Sequence, residues 1–224
     1  THIFLSYDGA KLEGTLRVPG GRCERIALLV HGITSSRDEL GLFSGLAKHL
    51  AERGIASFRF DYRCHGVNSQ PMQTMTLAGI VNDIEAGFLC ANELMQPASV
   101  HPIGMSFGGG LTAYWAATTD ANVESVVLLA PVIDYQQDVL GQHGLLDGVR
   151  VANLASRSLL NSGYVETDGI QYGAALVNEL PHINGIAGLK RLKCRSLILH
   201  GDADSVVPYS SSAKFAALNT RCNL

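Results

Sequence analysis

The stretch Val100-His101-Pro102-Ile103-Gly104-Met105-Ser106-Phe107-Gly108, followed by the small-residue segment 109–119, decides how this chain is read. An apolar run gives way to a helix-forming segment, and Gly-x-Ser-x-Gly stands at the junction. In that setting the pentapeptide is a nucleophile elbow. The turn forces the serine into a strained backbone conformation and lifts its hydroxyl over the end of a sheet. Glycine is needed two residues either side, where a side chain would collide with the neighbouring strand and helix. Ser106 is the candidate nucleophile.

A second element is Val30-His31-Gly32-Ile33, which closes the apolar run Ile26-Ala27-Leu28-Leu29-Val30. A serine that attacks a carbonyl needs two backbone N–H groups aimed at the oxyanion of the tetrahedral intermediate. One comes from the residue after the nucleophile, Phe107, and the other from the His-Gly loop, where it is assigned to Ile33. A third element is Leu197-Ile198-Leu199-His200-Gly201-Asp202-Ala203-Asp204, running on to Val207-Pro208. An acid three residues after a strand-end His-Gly suits the carboxylate that orients a catalytic histidine. Asp204 is preferred; Asp202 is read as bracing the loop through an Asx-type turn, and Asp134 is the outside candidate.

The histidine itself is not evident. After Asp204 one helix, one strand and two loops should precede it, roughly 20–30 residues at ordinary element lengths. Only twenty residues remain. Residues 209–218 read as that helix, capped by Ser210 or Ser211, and residues 219–224 as the loop and the first step of a strand. The base is therefore expected beyond residue 224, and the final strand and helix are expected to be absent from this chain. Of the eight histidines present, His31, His65 and His200 have loop duties, while His143 and His182 fall in an insertion near the serine.

The 224 residues fit one large α/β domain, with a net charge of −3 and a hydrophobic fraction of 46%. That charge gives no reason to expect nucleic acid or an anionic membrane as partner. No stretch approaches the roughly 20 apolar residues of a membrane span, and the first residues carry no signal-type core. The five cysteines are scattered, without Cys-x-x-Cys spacing, which suits reduced thiols in a cytoplasmic protein. No metal cluster, dinucleotide loop or P-loop is visible, so neither metal nor cofactor is expected. Homodimerisation is left open.

Element order points to a mostly parallel sheet with helices on both faces. Residues 3–6 and 12–18, separated by Asp8-Gly9, read as a hairpin. Strand and helix then alternate: strand 26–31, a helix over 36–53 with Ser36 and Glu39 as a capping box, strand 55–60, a helix over 76–94, the elbow strand and its helix, strand 126–130, and strand 196–200. The strands are near-continuous apolar runs, as expected for parallel strands covered on both faces. Residues 131–192 form a cap inserted after the sixth strand, so the core is 1–130 with 193–224. The cap is apolar with polar tips, and Tyr135, Leu146 and Tyr164, with His31 below them, are candidates for contact with substrate.

These residues carry a family resemblance. The run Gly54-Ile55-Ala56-Ser57-Phe58-Arg59-Phe60-Asp61-Tyr62, then His65-Gly66, Met75-Thr76-Leu77 and Asp83-Ile84-Glu85, resembles bacterial cinnamoyl/feruloyl esterases and related serine esterases of the α/β-hydrolase fold. The opening Asp8-Gly9 with Leu12-Glu13-Gly14-Thr15-Leu16, the elbow and the Asp204 loop resemble them too. Cys64 stands where those enzymes carry Gly, and Val67-Asn68-Ser69 is one residue looser than their loop. The cap, with Leu159-Leu160, Asp168-Gly169 and Asn178-Glu179-Leu180, is more similar to the acyl-ACP thioesterase of bacterial bioluminescence. The resemblance implies hydrolysis of carboxylic esters through an acyl-enzyme, with Ser106 as nucleophile, Asp204 as orienter and donors at Ile33 and Phe107. Two alternatives stay open: a thioesterase or acyltransferase taking fatty acyl thioesters, and a non-catalytic binding protein on the same fold.

Overall fold

Asp8 and Gly9, the latter at φ +83°, turn the chain between the antiparallel strands β1 (His2–Leu5) and β2 (Lys11–Arg17). The structure, a computed structural model, describes residues 1–224 except Arg22, Ser69, Asn184, Gly185, Ala187 and Gly188. The departure read at Val67-Asn68-Ser69 thus ends outside the described residues.

β2 pairs antiparallel with β4 (Ala56–Asp61), and from there the sheet is parallel through β3 (Arg25–Val30), β5 (Ser99–Met105), β6 (Ser125–Leu129), β11 (Arg195–Leu199) and β12 (Cys222–Asn223). The order is β1-β2-β4-β3-β5-β6-β11-β12. The chain leaves β3 for β4 on one side and returns to β5 on the other. This switch point opens a crevice beyond the carboxyl ends of β3 and β5, where ligands of open α/β sheets bind. Register fixes what stands there. Val30 pairs with Gly104, so Gly32 and Ser106 each lie two residues past the same rung.

One face of the sheet is covered by α1 (Leu42–Glu52), whose Phe43 and Ala47 pack on Ala27, Leu29 and Ile103. The other face carries α2 (Leu77–Met95) and α3 (Ser106–Thr118) over Ile26, Leu28, Val30, Phe58 and Phe60. Phe215 of the helix Tyr209–Leu218 packs beside them on Ala113, Val126, Leu128 and Ile198. The apolar run of β11 is buried on one face only: Ser196 and Ile198 are covered, while Leu197 and Leu199 are 37% and 54% exposed.

Two helix starts differ from the sequence expectation. α1 begins at Leu42, behind the left-handed Gly41 (φ +96°), and Glu39 closes no capping box. Its carboxylate reaches back to Gly32 instead, because Glu39 and Leu40 also adopt positive φ (44° and 53°) and swing it inward. The helix Tyr209–Leu218 follows Pro208 with no side-chain cap, so neither Ser210 nor Ser211 serves. Thr76 does cap α2, accepting from Gly79 N–H at 3.0 Å.

Between β6 and β11 the chain builds α4 (Tyr135–Val139), the short ladder of β7 (Leu146–Asp147) with β8 (Arg150–Val151), α5 (Asn153–Ser162), the hairpin of β9 (Tyr164–Thr167) with β10 (Ile170–Gly173), and α6 (Ala174–Glu179). Asp168 and Gly169, both left-handed (φ 50° and 75°), make the hairpin turn. Glu179 accepts from the N–H groups of Leu77 and Ala78 at 2.6 and 3.3 Å, placing a carboxylate at the positive end of α2. At Gly173 a β-carbon would overlap the carbonyl oxygen of Gln73. The segment is therefore docked on the sheet's helices at this edge.

Candidate active site

Ser106 is the last residue before α3 turns fully helical, and it sits at φ +49°. A side-chain-bearing residue pays of order 1–3 kcal/mol for that region and persists there only where its surroundings over-determine it. The surroundings are glycine-tight. A β-carbon on Gly104 would overlap Thr112 Oγ1, and one on Gly108 would overlap the His31 carbonyl oxygen. One on Gly32 would come within 3.3 Å of Ser106 Cβ. The loops after β3 and β5 thus touch at Gly32 and Ser106.

Two peptide planes beside the serine are held from their carbonyl ends. The oxygen of Ser106 accepts from Val132 N–H at 2.9 Å. That of Gly32 accepts from the Tyr62 hydroxyl at 3.0 Å and from His31 Nδ1 at 2.7 Å. Among the described residues every peptide bond is trans, so C=O and N–H point in opposite directions across each plane. Fixing those two oxygens therefore fixes the directions of Phe107 N–H and Ile33 N–H. Burial pushes the His31 pKa down to about 3; the ring is neutral, with its Nδ1 proton on the Gly32 oxygen. It stacks on Tyr62 with ring centres 3.9 Å apart.

Asp204 follows the Gly201 turn. Its Oδ1 accepts from the N–H groups of Val206 and Val207 at 2.8 and 3.0 Å, so Asp204 itself makes the Asx-type turn read at Asp202. Oδ2 lies 3.4 Å from His200 Nε2. Burial pushes this carboxyl up, but the two N–H donors and His200 outweigh it and hold the pKa below the ordinary value. His200 is engaged elsewhere too, through Ser212 Oγ at 2.8 Å and the Val207 carbonyl at 3.0 Å. His65 bonds the Arg63 carbonyl at 2.9 Å. Both have the loop duties read from the sequence.

Ser106, Ile33 and Phe107 line one cavity of about 90 Å³, together with Val206 and Val207, whose N–H groups bond Asp204; Asp204 itself is not in that lining. The segment between β6 and β11 supplies the rest, including Val139, Ile170 and Tyr172 and the polar group Asp138, Gln142, His143, Thr167 and Asp168. Of the residues expected to meet substrate, His31, Tyr135, Leu146 and Tyr164 do not line this cavity. His31 and Tyr135 are buried beneath it, and the Tyr135 hydroxyl donates to the Phe107 carbonyl. Asp134 caps α4, its Oδ1 accepting from Gln137 N–H at 3.1 Å.

Asp138, one turn further on, was not singled out by the sequence. Burial first, and the neighbouring Asp134 second, raise its pKa to about 6. A raised carboxyl pKa means that the folded state prefers the proton. Its penalty is absent below the unfolded value near 4, grows as pH rises towards 6, and is complete above that. Asp138→Asn, whose amide oxygen can still accept from the N–H groups of Ile133 and Asp134, should therefore raise the melting temperature at pH 7.5 more than at pH 4.5. Thermal melts at the two pH values check this; an equal shift at both would place the proton elsewhere. His143, which the sequence places in the insertion near the serine, does line the cavity, and its Nε2 lies 3.5 Å from Asp168 Oδ2.

A family model for the alpha/beta hydrolase fold matches residues 28–157. An uncharacterized protein of Salmonella typhi, YfhR, is 25% identical over 231 residues, which span 96% of this chain and 68% of that protein. Among solved structures, Est1E from Butyrivibrio proteoclasticus, bound to ferulic acid, superposes with a TM-score of 0.84 at 23% identity, covering 100% of this chain and 88% of that one. A protein from Agrobacterium vitis S4 gives 0.76 at 20% identity, covering 100% and 85%. The Pyrococcus furiosus esterase Pf2001 gives 0.70 at 21% identity, covering 98% and 77%.

Proposed function

This chain belongs to the α/β-hydrolase fold family, and we propose that it is a serine hydrolase of carboxylic esters. The observation that carries the reading is Ser106 at φ +49° in a cavity it shares with Ile33 and Phe107. Ser106 Oγ attacks the acyl carbon, and the oxyanion is received by Ile33 N–H and Phe107 N–H. The alcohol leaves, and water hydrolyses the acyl-enzyme by the reverse of the first step. Asp204, held ionised by two loop N–H donors on Oδ1 and by His200 beside Oδ2, is the carboxylate that orients the imidazole.

Ligand pockets usually run to about 300–1,000 Å³. A cavity of about 90 Å³ beneath a docked cap suits a short acyl or alkyl group better than a fatty chain. This favours simple esters over long acyl thioesters; the Est1E complex with ferulic acid keeps an aromatic ester within the range to test. The assay is hydrolysis of p-nitrophenyl esters of graded length alongside feruloyl and acyl-thioester substrates. Turnover of short esters supports the reading, and turnover of none of these substrates sinks it.

Sequence reading assigns no histidine of this chain as the general base. One candidate has its own observation: His143 lines the serine's cavity, paired with Asp168. His143→Ala tests it. If His143 is a cap residue only, kcat should stay within about tenfold of wild type; loss of the order of 10⁴ or more would make it the base.

A further inference from the structure

The loop between β3 and α1 bends where no packing of its exposed residues asks it to. Glu39, Leu40 and Gly41 are left-handed in succession, at φ 44°, 53° and 96°. Such angles are costly for residues that carry a β-carbon. Leu40 gains nothing from its position, being 99% exposed. What the bend achieves is to turn Glu39 inward. Its side chain is only 7% exposed with the residue as a whole, and Oε2 accepts from Gly32 N–H at 2.6 Å. On the other side of the same residue, the Gly32 carbonyl accepts from Tyr62 and His31.

Both peptide groups of Gly32 are thus held, one through its N–H and the next through its oxygen. The second is the Gly32–Ile33 peptide, whose N–H leaves in the direction opposite to that oxygen. We propose that Glu39 and Tyr62 are positioning residues that clamp Gly32 from its two ends and so aim Ile33 N–H at the reacting carbonyl. This rests on the serine-hydrolase reading above and adds the residues that make one oxyanion donor rigid. Neither side chain lines the cavity, so neither meets substrate; they act through the backbone. Preorganised donors are effective because they need not reorient as charge develops.

The clamp needs an acceptor at Gly32 N–H, not a charge. A buried carboxylate this near an oxyanion would oppose it. Glu39→Gln, which keeps an oxygen on Gly32 N–H and removes the charge, should therefore retain kcat within about threefold of wild type or exceed it. Glu39→Ala leaves that N–H without its acceptor and frees the loop, and kcat should fall roughly 10–100-fold with KM changed less than threefold. Tyr62→Phe, losing one of two donors to the Gly32 oxygen, should lower kcat by about 5–30-fold with the same split. A boronic-acid transition-state analogue should weaken in step with kcat/KM in each variant.

The Gly32 amide proton gives a readout that needs no activity. In wild type and Glu39→Gln it should be shifted downfield and protected from exchange, and in Glu39→Ala it should lose both signs while circular dichroism is unchanged. Unchanged kcat in Glu39→Ala, equal damage from Gln and Ala, or a Gly32 amide indifferent to Glu39 would each overturn the clamp. If wild type hydrolyses no ester, the proposed function fails, and the amide measurement alone still decides whether Glu39 holds Gly32.

Discussion

Ser106→Ala should abolish ester hydrolysis, lowering kcat by about 10⁴–10⁶ while the protein stays folded. Groups that act as one catalytic unit lose nearly all their rate when the nucleophile is removed, the remainder coming from oxyanion donors and binding. The substitution deletes one oxygen from a cavity wall. Alanine at φ +49° is no better placed than serine, so stability should change little. Steady-state kinetics with circular dichroism check the result. Activity within tenfold of wild type, in a folded variant, would move the nucleophile to another residue.

Gly108→Ala should damage both fold and activity through a single methyl group. The added carbon would overlap the carbonyl oxygen of His31, and it would also press on Val30 Cγ1 at 3.0 Å. Backbone atoms cannot rotate away as a side-chain tip can. Either α3 lifts from the sheet or the loop of His31, Gly32 and Ile33 is pushed aside. Overpacking of this kind costs typically 1–3 kcal/mol, occasionally more. In a domain of this size that is a melting temperature lower by about 2–12 °C. Because the displaced loop carries Ile33, kcat should fall by about 10²-fold or more, beyond what the stability loss explains. Thermal melts and kinetics on the same preparation separate the two effects. An unchanged melting temperature would mean that the two loops do not touch as described.

The parts of the site legible in the sequence are those fixed by local chain geometry. Gly104 and Gly108 around Ser106 announce a turn that few other residue patterns permit. Asp8-Gly9 announces the hairpin, and Thr76 with the apolar stripe after it announces α2. Each depends on residues within a few positions of one another. What escaped depends on distance in sequence. Ser36 and Glu39 have capping-box spacing, yet Glu39 is spent on Gly32, seven residues back, and the helix starts three residues later. Tyr62 donates to an oxygen thirty residues away.

The cap was the least legible region because its elements are short and its polar residues have no period. Asp134 and Asp138 are both acids near a helix start. Only the fold shows that the first caps α4 while the second, one turn on, faces the cavity with Ser106. Tyr135 was expected on the substrate side and instead ties the cap to the elbow from below, through the Phe107 carbonyl. The residue that supports the elbow and the residue that meets substrate are equally aromatic in the sequence.

Ser106, held left-handed at the end of β5, is the proposed nucleophile. Labelling with a fluorophosphonate, followed by digestion and peptide mass mapping, tests it most directly. One adduct is expected, on the peptide containing Ser106, with ester turnover falling in proportion to the labelled fraction. A preparation that hydrolyses ester while Ser106 stays unmodified, or that keeps its full rate with Ser106 fully labelled, would contradict it.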